Sequence, residues 1–145
     1  MAAGALIFNN KNELLIVKPN YKDRWSIPGG VVDVDESPRQ ACLREVKEEI
    51  GIDLPTVTFL CVDYTPKNSE KNESLQFTFF GGIINDEKIR DIKIQKEELD
   101  AAKFVATDEA FKLLGGNMGN LAKRLLKCVE AIKTGTAIYL EDGAF

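Results

Sequence analysis

The chain has 145 residues, 44% of them hydrophobic and 29% charged, with a formal charge of −4. This length suits a single domain, 1–145, able to bury about two thirds of its unfolded surface. The acidic balance argues against duplex nucleic acid, whose binding needs a basic surface that displaces counterions. Histidine is absent. That removes Ser-His-Asp and Cys-His catalysis and most zinc chemistry, so a general base must be a carboxylate, a lysine, a tyrosine or metal-bound water.

Cys42, Cys61 and Cys128 lie far apart in sequence with no metal-binding spacing. A reduced, cytoplasmic chain is the expectation. The apolar run Ala2–Phe8 lacks a basic flank and is too short for a signal peptide or membrane span, so no membrane is expected as a partner. Chain start and first strand nearly coincide, which predicts no N-terminal extension.

Ala2–Phe8 and residues 13–18 are aliphatic runs separated by Asn9, Asn10, Lys11 and Asn12, a pattern of two strands joined by a tight turn. Residues 19–24 read as loop. Residues 25–27 read as a short extended piece, kept from helix by Pro28. Gly29 and Gly30 let the backbone approach a ligand, and their carbonyls can face a metal.

Residues 30–52 concentrate acid where helices usually avoid it. Ser37 is placed as N-cap, Pro38 as first helical residue, and Gln40 completes a capping box; Gly51 supplies a left-handed stop. A helix over Pro38–Ile50 follows. At 100° per residue, Leu43, Val46 and Ile50 form a buried stripe, while Glu45, Glu48 and Glu49 share another arc with Arg44 beside Glu48. Like charges at these spacings repel by roughly 0.2–0.5 kcal/mol per pair. Glu48 and Glu49 also sit in the last turn, where the helix dipole disfavours anions by ~0.3–1 kcal/mol each. A divalent cation held between the carboxylates removes both penalties. The arc is predicted to be a metal site.

Beyond the helix, residues 56–65 and 74–84 are rich in β-branched and aromatic residues and apolar on two faces, which predicts central strands covered on each side. Residues 86–101 are highly charged, with a short strand predicted at 92–94 and an edge strand at 103–105. Thr107 is predicted to cap a helix over 108–114 that Gly115 and Gly116 end. Leu121, Leu125, Cys128 and Ile132 form the stripe of a last helix ending near Gly135, with Lys123, Arg124 and Lys127 on its solvated side. A few extended residues follow at 136–140. Repeats, linkers and low-complexity stretches are absent.

The acidic helix and the loop before it resemble the Nudix box. That pattern is glycine, five residues, glutamate, seven residues, Arg-Glu, an aliphatic residue, any residue, Glu-Glu, any residue, glycine and an aliphatic residue. Here Gly30, Glu36, Arg44, Glu45, Val46, Glu48, Glu49, Gly51 and Ile52 fill it with no departure. The lead-in Trp25-Ser26-Ile27-Pro28-Gly29-Gly30 is similar to that of MutT-like members. The resemblance implies an α/β fold, the Nudix α/β/α sandwich, in which helices flank a mixed β-sheet. The isopentenyl-diphosphate isomerase branch uses histidine ligands, which this chain lacks.

The resemblance also implies hydrolysis of a phosphoanhydride in a nucleoside diphosphate linked to another group. The expected partner is a small nucleotide, with nucleoside triphosphates and their oxidised forms favoured; the oligomeric state, a homodimer among the options, stays open. ADP-ribose or nucleotide-sugar hydrolysis, RNA 5′-end hydrolysis and a non-catalytic nucleotide-sensing module stay open. Mg²⁺ is the expected cofactor, with Mn²⁺ as the alternative, because hard cations suit oxygen ligands. Glu45, Glu48 and Glu49 are the expected ligands, joined by the Gly29 carbonyl. Glu36 and Arg44 are expected to support the loop. Glu98 resembles the glutamate that completes the metal site or acts as base in MutT-like enzymes, with Glu97 as fallback. For reading the base, Tyr21, Trp25, Tyr64, Phe80, Asn117 and Asn120 are candidates. Lys18, Lys22 and Arg24 are candidates for the phosphates.

Overall fold

The central strand is β1 (Ala2–Phe8), and everything near the acidic helix is arranged by where β1 parts from its neighbour. The computed structural model describes residues 1–144; Phe145 lies outside the described residues. The sheet runs β6-β2-β1-β5-β4-β7, where β2 is Leu14–Pro19, β4 Thr58–Thr65, β5 Ser74–Ile83, β6 Leu99–Val105 and β7 Ile138–Glu141. β1 pairs parallel with β5, and its pairing with β2 is antiparallel at Phe8 and Leu14. Toward the other end the two strands are separated by residues 26–31. Ser26 bridges Val17, the Pro28 carbonyl accepts from Ala5 N–H at 2.9 Å, and β3 (Gly29–Val31) pairs with Ala2, Ala3 and Gly4. This wedge carries Gly29 of the lead-in and Gly30, the first glycine of the box.

Alternation along β1 explains why it is apolar throughout: Ala5 and Ile7 face one core, Leu6 and Phe8 the other. The first core lies under α1 (Pro38–Ile50), with Val46, Ile50, Leu15, Val17 and Phe79. The second lies under α3 (Thr107–Leu113) and α4 (Asn120–Thr134), with Ile16, Leu114, Leu125 and Leu140. Helices therefore flank both faces of a mixed sheet. Among the described residues no helix is long and apolar enough to cross a membrane.

Several predicted elements are corrected. The short extended piece at 25–27 forms as the bridge of Ser26 to Val17, and β3 is an addition after it, because β1 offers it an edge that only the folded sheet creates. The strand predicted at 92–94 does not form. A short helix, α2 (Asp86–Arg90), capped by the Asn85 side chain, precedes it. Lys93 N–H and Gln95 N–H then donate to the carbonyls of Ile50 and Glu49 at 3.0 and 2.9 Å, satisfying the C-terminal end of α1 instead of a sheet edge. β6 is an edge strand as predicted but begins at Leu99. β5 is central, whereas β4 is followed by the edge strand β7. Thr107 is the first residue of α3 rather than its cap; Ala106 occupies that place with no side-chain bond. Arg124, predicted on the solvated side of α4, is 8% exposed and paired with the fully buried Asp63.

Candidate active site

The ends of α1 form as the local residues dictate. Ser37 accepts from Gln40 N–H, Gln40 reaches back to Ser37 N–H, Pro38 opens the helix, and Gly51 closes it at φ 75°. The helix thereby projects Arg44, Glu45, Glu48 and Glu49 toward the wedge. Glu49 is 6% exposed, although periodicity put it with the solvated acids. It lies three residues after Val46 and beside Ile50, so it straddles the buried stripe. Gly29 N–H donates to its carboxylate at 2.7 Å.

Arg44 is the hub. Its Nε and Nη2 grip Glu36 as a fork at 2.7 and 2.9 Å. Nη1 reaches Glu45 at 3.0 Å and Glu48 at 3.2 Å, and Nη2 also reaches the Val31 carbonyl at 3.1 Å and Asp33 at 3.4 Å. The fork pushes the Glu36 carboxyl down to about 2, helped by Asp33 N–H. Arg44 in turn is held above its usual range, first by Glu36. Asp35, in the same loop, takes a left-handed backbone at φ 64°, which an aspartate tolerates in a turn.

The two glycines serve different contacts. A Cβ on Gly29 would stand 2.4 Å from the Ala3 carbonyl of β1. One on Gly30 would stand 2.4 Å from the Glu45 carboxylate. At position 30 glycine thus makes room for a box carboxylate. The contact seen at Gly29 is through its N–H.

Glu98 arrives from the far side of the split between β1 and β2. Asn20, just past β2, donates its backbone N–H to the Glu98 carbonyl and its side-chain amide to the Glu97 carbonyl, each at 2.9 Å. Gln95 is tied to Glu49 as described. These bonds set the Glu98 charge close enough to be felt by Glu45 and Glu49. Burial, then Glu45, Glu98 and Glu48, push Glu49 up to about 7 against the Gly29 hydrogen bond. Glu45 is also raised, first by burial.

Oxygen-only donors with this excess of negative charge fit a hard divalent cation. Among the described residues no three acids or cysteines already stand as an ion's ligands, and the reason is visible. Arg44 Nη1 lies between Glu45 and Glu48. Its Nε and Nη2 stay fixed on Glu36, so an ion can take over those two carboxylates while the guanidinium keeps its anchor.

The other candidates divide. Phe80 packs against Phe8 in the core, and the Tyr64 hydroxyl bonds Glu73 at 2.6 Å. Asn120, the first residue of α4, is bonded to Asp142. Asn117 lies in the 3₁₀ turn Gly116–Met118. Lys18 Nζ donates to the Pro19 carbonyl at 3.1 Å and to that of Lys22. Trp25 is half-buried under Lys103 Nζ, 4.7 Å from its ring centroid. Tyr21 stands apart, 69% exposed, with its phenol pushed up by burial and then by Glu49, Glu98 and Glu45. Sequence reasoning missed Asn20 and Gln95. Their contribution is one of tertiary hydrogen bonds, for which no local pattern exists.

An α/β/α sandwich whose acidic helix faces a glycine wedge is the Nudix architecture. The NUDIX domain family model matches residues 1–125, and the chain belongs to that family. It is 38% identical over 63 residues to an 8-oxo-dGTP diphosphatase of Proteus vulgaris, covering 41% of this chain and 56% of that protein. Identity reaches 50% over 52 residues with an m7GpppN-mRNA hydrolase of Saccharomyces cerevisiae, covering 35% of this chain and 5% of that one. The match thus spans little more than half of the first relative and a small part of the second. Among solved structures, a C. elegans Ap4A hydrolase superposes with a TM-score of 0.71 at 25% identity, covering 93% of this chain and 98% of its own.

Proposed function

We propose that the chain is a Mg²⁺-dependent nucleotide pyrophosphohydrolase, with nucleoside triphosphates and their oxidised forms as favoured substrates and Mn²⁺ as an alternative cation. One observation carries the reading: a carboxylate only 6% exposed, Glu49, bonded to Gly29 N–H and lying within the charge of Glu45, Glu48 and Glu98. A cluster so arranged is costly as a structural device and suited to gaining a cation. The diphosphatase relative named above supports the substrate class.

In this reading Glu45, Glu48 and Glu49 would hold the cation, with the Gly29 carbonyl completing the set. The cation supplies Lewis-acid stabilisation of phosphate charge and lowers the pKa of bound water. The chain's own residues do the rest. Arg44 and Glu36 fix the glycine loop through the two-bond fork. Glu98 takes the proton of the attacking water, with Glu45 as the alternative acceptor. The water oxygen bonds to phosphorus, the P–O bond to the bridging oxygen breaks, and that oxygen leaves with the electron pair.

A panel of nucleoside triphosphates, 8-oxo-dGTP, diadenosine tetraphosphate, ADP-ribose and a capped dinucleotide, assayed with Mg²⁺ by product release, tests this. Turnover of triphosphates above the others is expected. Turnover of none of the panel would remove the hydrolase reading.

A further inference from the structure

The chain has three tyrosines, and among the described residues the hydroxyls of two of them are hydrogen-bonded. Tyr64 and Tyr139 bond Glu73 and Glu141 through their hydroxyls at 2.6 and 2.9 Å. Among the described residues the Tyr21 hydroxyl has no hydrogen-bond partner, and its ring is the most exposed aromatic. An exposed ring alone is unremarkable. What differs here is the support beneath it.

Tyr21 sits in a loop tethered on three sides. Asn20 binds the carbonyls of Glu97 and Glu98, and Lys18 Nζ binds those of Pro19 and Lys22. Arg24 rests its guanidinium on the turn after α3, where a Cβ on Gly115 would come within 2.7 Å of Nη1. Three tethers on a five-residue stretch fix the loop that carries the ring against the chain at Glu97 and Glu98. Lys22 Nζ stands 5.5 Å from the ring centroid, over one face. The high exposure leaves the other face to solvent.

We propose that Tyr21 is the platform on which the base of the nucleotide stacks, while the phosphates reach the Glu45–Glu48–Glu49 cluster. The assignment rests on the nucleotide-hydrolase reading and deepens it. An aromatic face stacks on any planar base without hydrogen-bond readout, and the Lys22 ammonium covers the other face of the ring. The Tyr21 contribution therefore favours substrates that carry a base over polyphosphates that carry none, with little preference among bases.

The test uses the nucleotide turned over fastest in the panel, with inorganic tripolyphosphate as a competitive inhibitor that has phosphates and no base. Tyr21→Ala should raise the nucleotide KM about tenfold, as loss of one stacked base does. The inhibition constant of tripolyphosphate should stay within twofold. Tyr21→Phe, which keeps the ring, should restore the nucleotide KM to within twofold of wild type. Tyr139→Ala, at an exposed tyrosine on the edge strand, controls for general loss of an aromatic. An unchanged nucleotide KM in Tyr21→Ala overturns the proposal. So does an equal weakening of tripolyphosphate, or a failure of Tyr21→Phe to restore KM. In each of those cases wild-type turnover is intact and the hydrolase reading stands. If wild type turns over no nucleotide, that reading and the Tyr21 assignment fall together.

Discussion

Two ionic systems lie on opposite faces of the sheet, one buried and one half-open to solvent, and their charge balance differs. On the α4 side Arg124 donates to Asp63 at 2.9 Å, and Gly143 N–H fills the other carboxylate oxygen at 3.0 Å. One cation meets one anion, and every bond is internal. On the α1 side a single Arg44 serves Asp33, Glu36, Glu45 and Glu48, with Glu49 and Glu98 also near. The first system is complete as it stands. The second carries uncompensated negative charge, which a purely structural network would avoid. Balance thus separates a closed brace from a cluster with negative charge to spare, although both are carboxylate–arginine clusters.

The largest expected effect breaks the brace. Arg124→Met leaves the Asp63 charge buried without its partner and should destabilise the fold by about 3–5 kcal/mol, read by denaturant unfolding. Activity per folded molecule should hold. A variant as stable as wild type would show that the pair contributes nothing.

Next, Glu48→Gln and Glu49→Gln should each lower kcat by about 10²-fold or more while the fold survives, since lost charge at the site costs roughly 3 kcal/mol of transition-state stabilisation. Near-wild-type turnover in both at saturating Mg²⁺ would erase the contrast between the two systems. Glu98→Gln should lower kcat by about 10²-fold with little change in KM, because the loss falls on the transition state. An unchanged kcat would leave Glu45 as the proton acceptor.

The smallest effect is on stability and follows from the sign of the shift. Glu49 has its folded value raised to about 7 from the usual 4.5. The folded protein therefore holds a proton that the unfolded chain releases, and the stability so gained is full below about 4.5. It is lost as pH rises through about 7, so metal-free protein should melt at progressively lower temperature between pH 5 and pH 8. Glu36 is shifted the other way, to about 2, so it loses its contribution only in stronger acid and leaves this window alone. Glu49→Gln should flatten the slope, and Mg²⁺ at pH 8 should raise the melting temperature of wild type more than that of the variant. Parallel slopes in the two proteins would contradict the origin assigned to the shift.

How much was legible in the sequence depended on how far apart the partners lie. The boundaries of α1 were readable to the residue because Ser37, Pro38, Gln40 and Gly51 act within one turn. The grouping of Glu45, Glu48 and Glu49 followed from helical period, but the depth of Glu49 did not, since one residue beside the apolar stripe faces solvent or core according to what covers it. β3 was missed because its pairing needs the edge left open by β1 and β2. The strand predicted at 92–94 failed because its N–H groups had carbonyls at the end of α1 to satisfy, some forty residues earlier in the chain. Asp63 did leave a signal: one acid within the apolar run Phe-Leu-Cys-Val-Asp requires a buried partner. Nothing local pointed to Arg124 as that partner.

The same distances set an order of assembly. Arg44 reaches back at most 13 residues to its farthest partner, Val31, and Gly29 meets Glu49 across 20. Asn20 meets Glu97 across 77, and that contact closes only when β2 and β6 pair. Contacts of low sequence separation cost less chain entropy to close and form sooner. The loop and helix that hold the carboxylates therefore belong to an early folding unit, and Glu98 joins with the late one. A nascent chain released through residue 52 contains Glu45, Glu48 and Glu49 and lacks Glu98, so three of the four carboxylates can gather on one helix before the fourth is delivered to them.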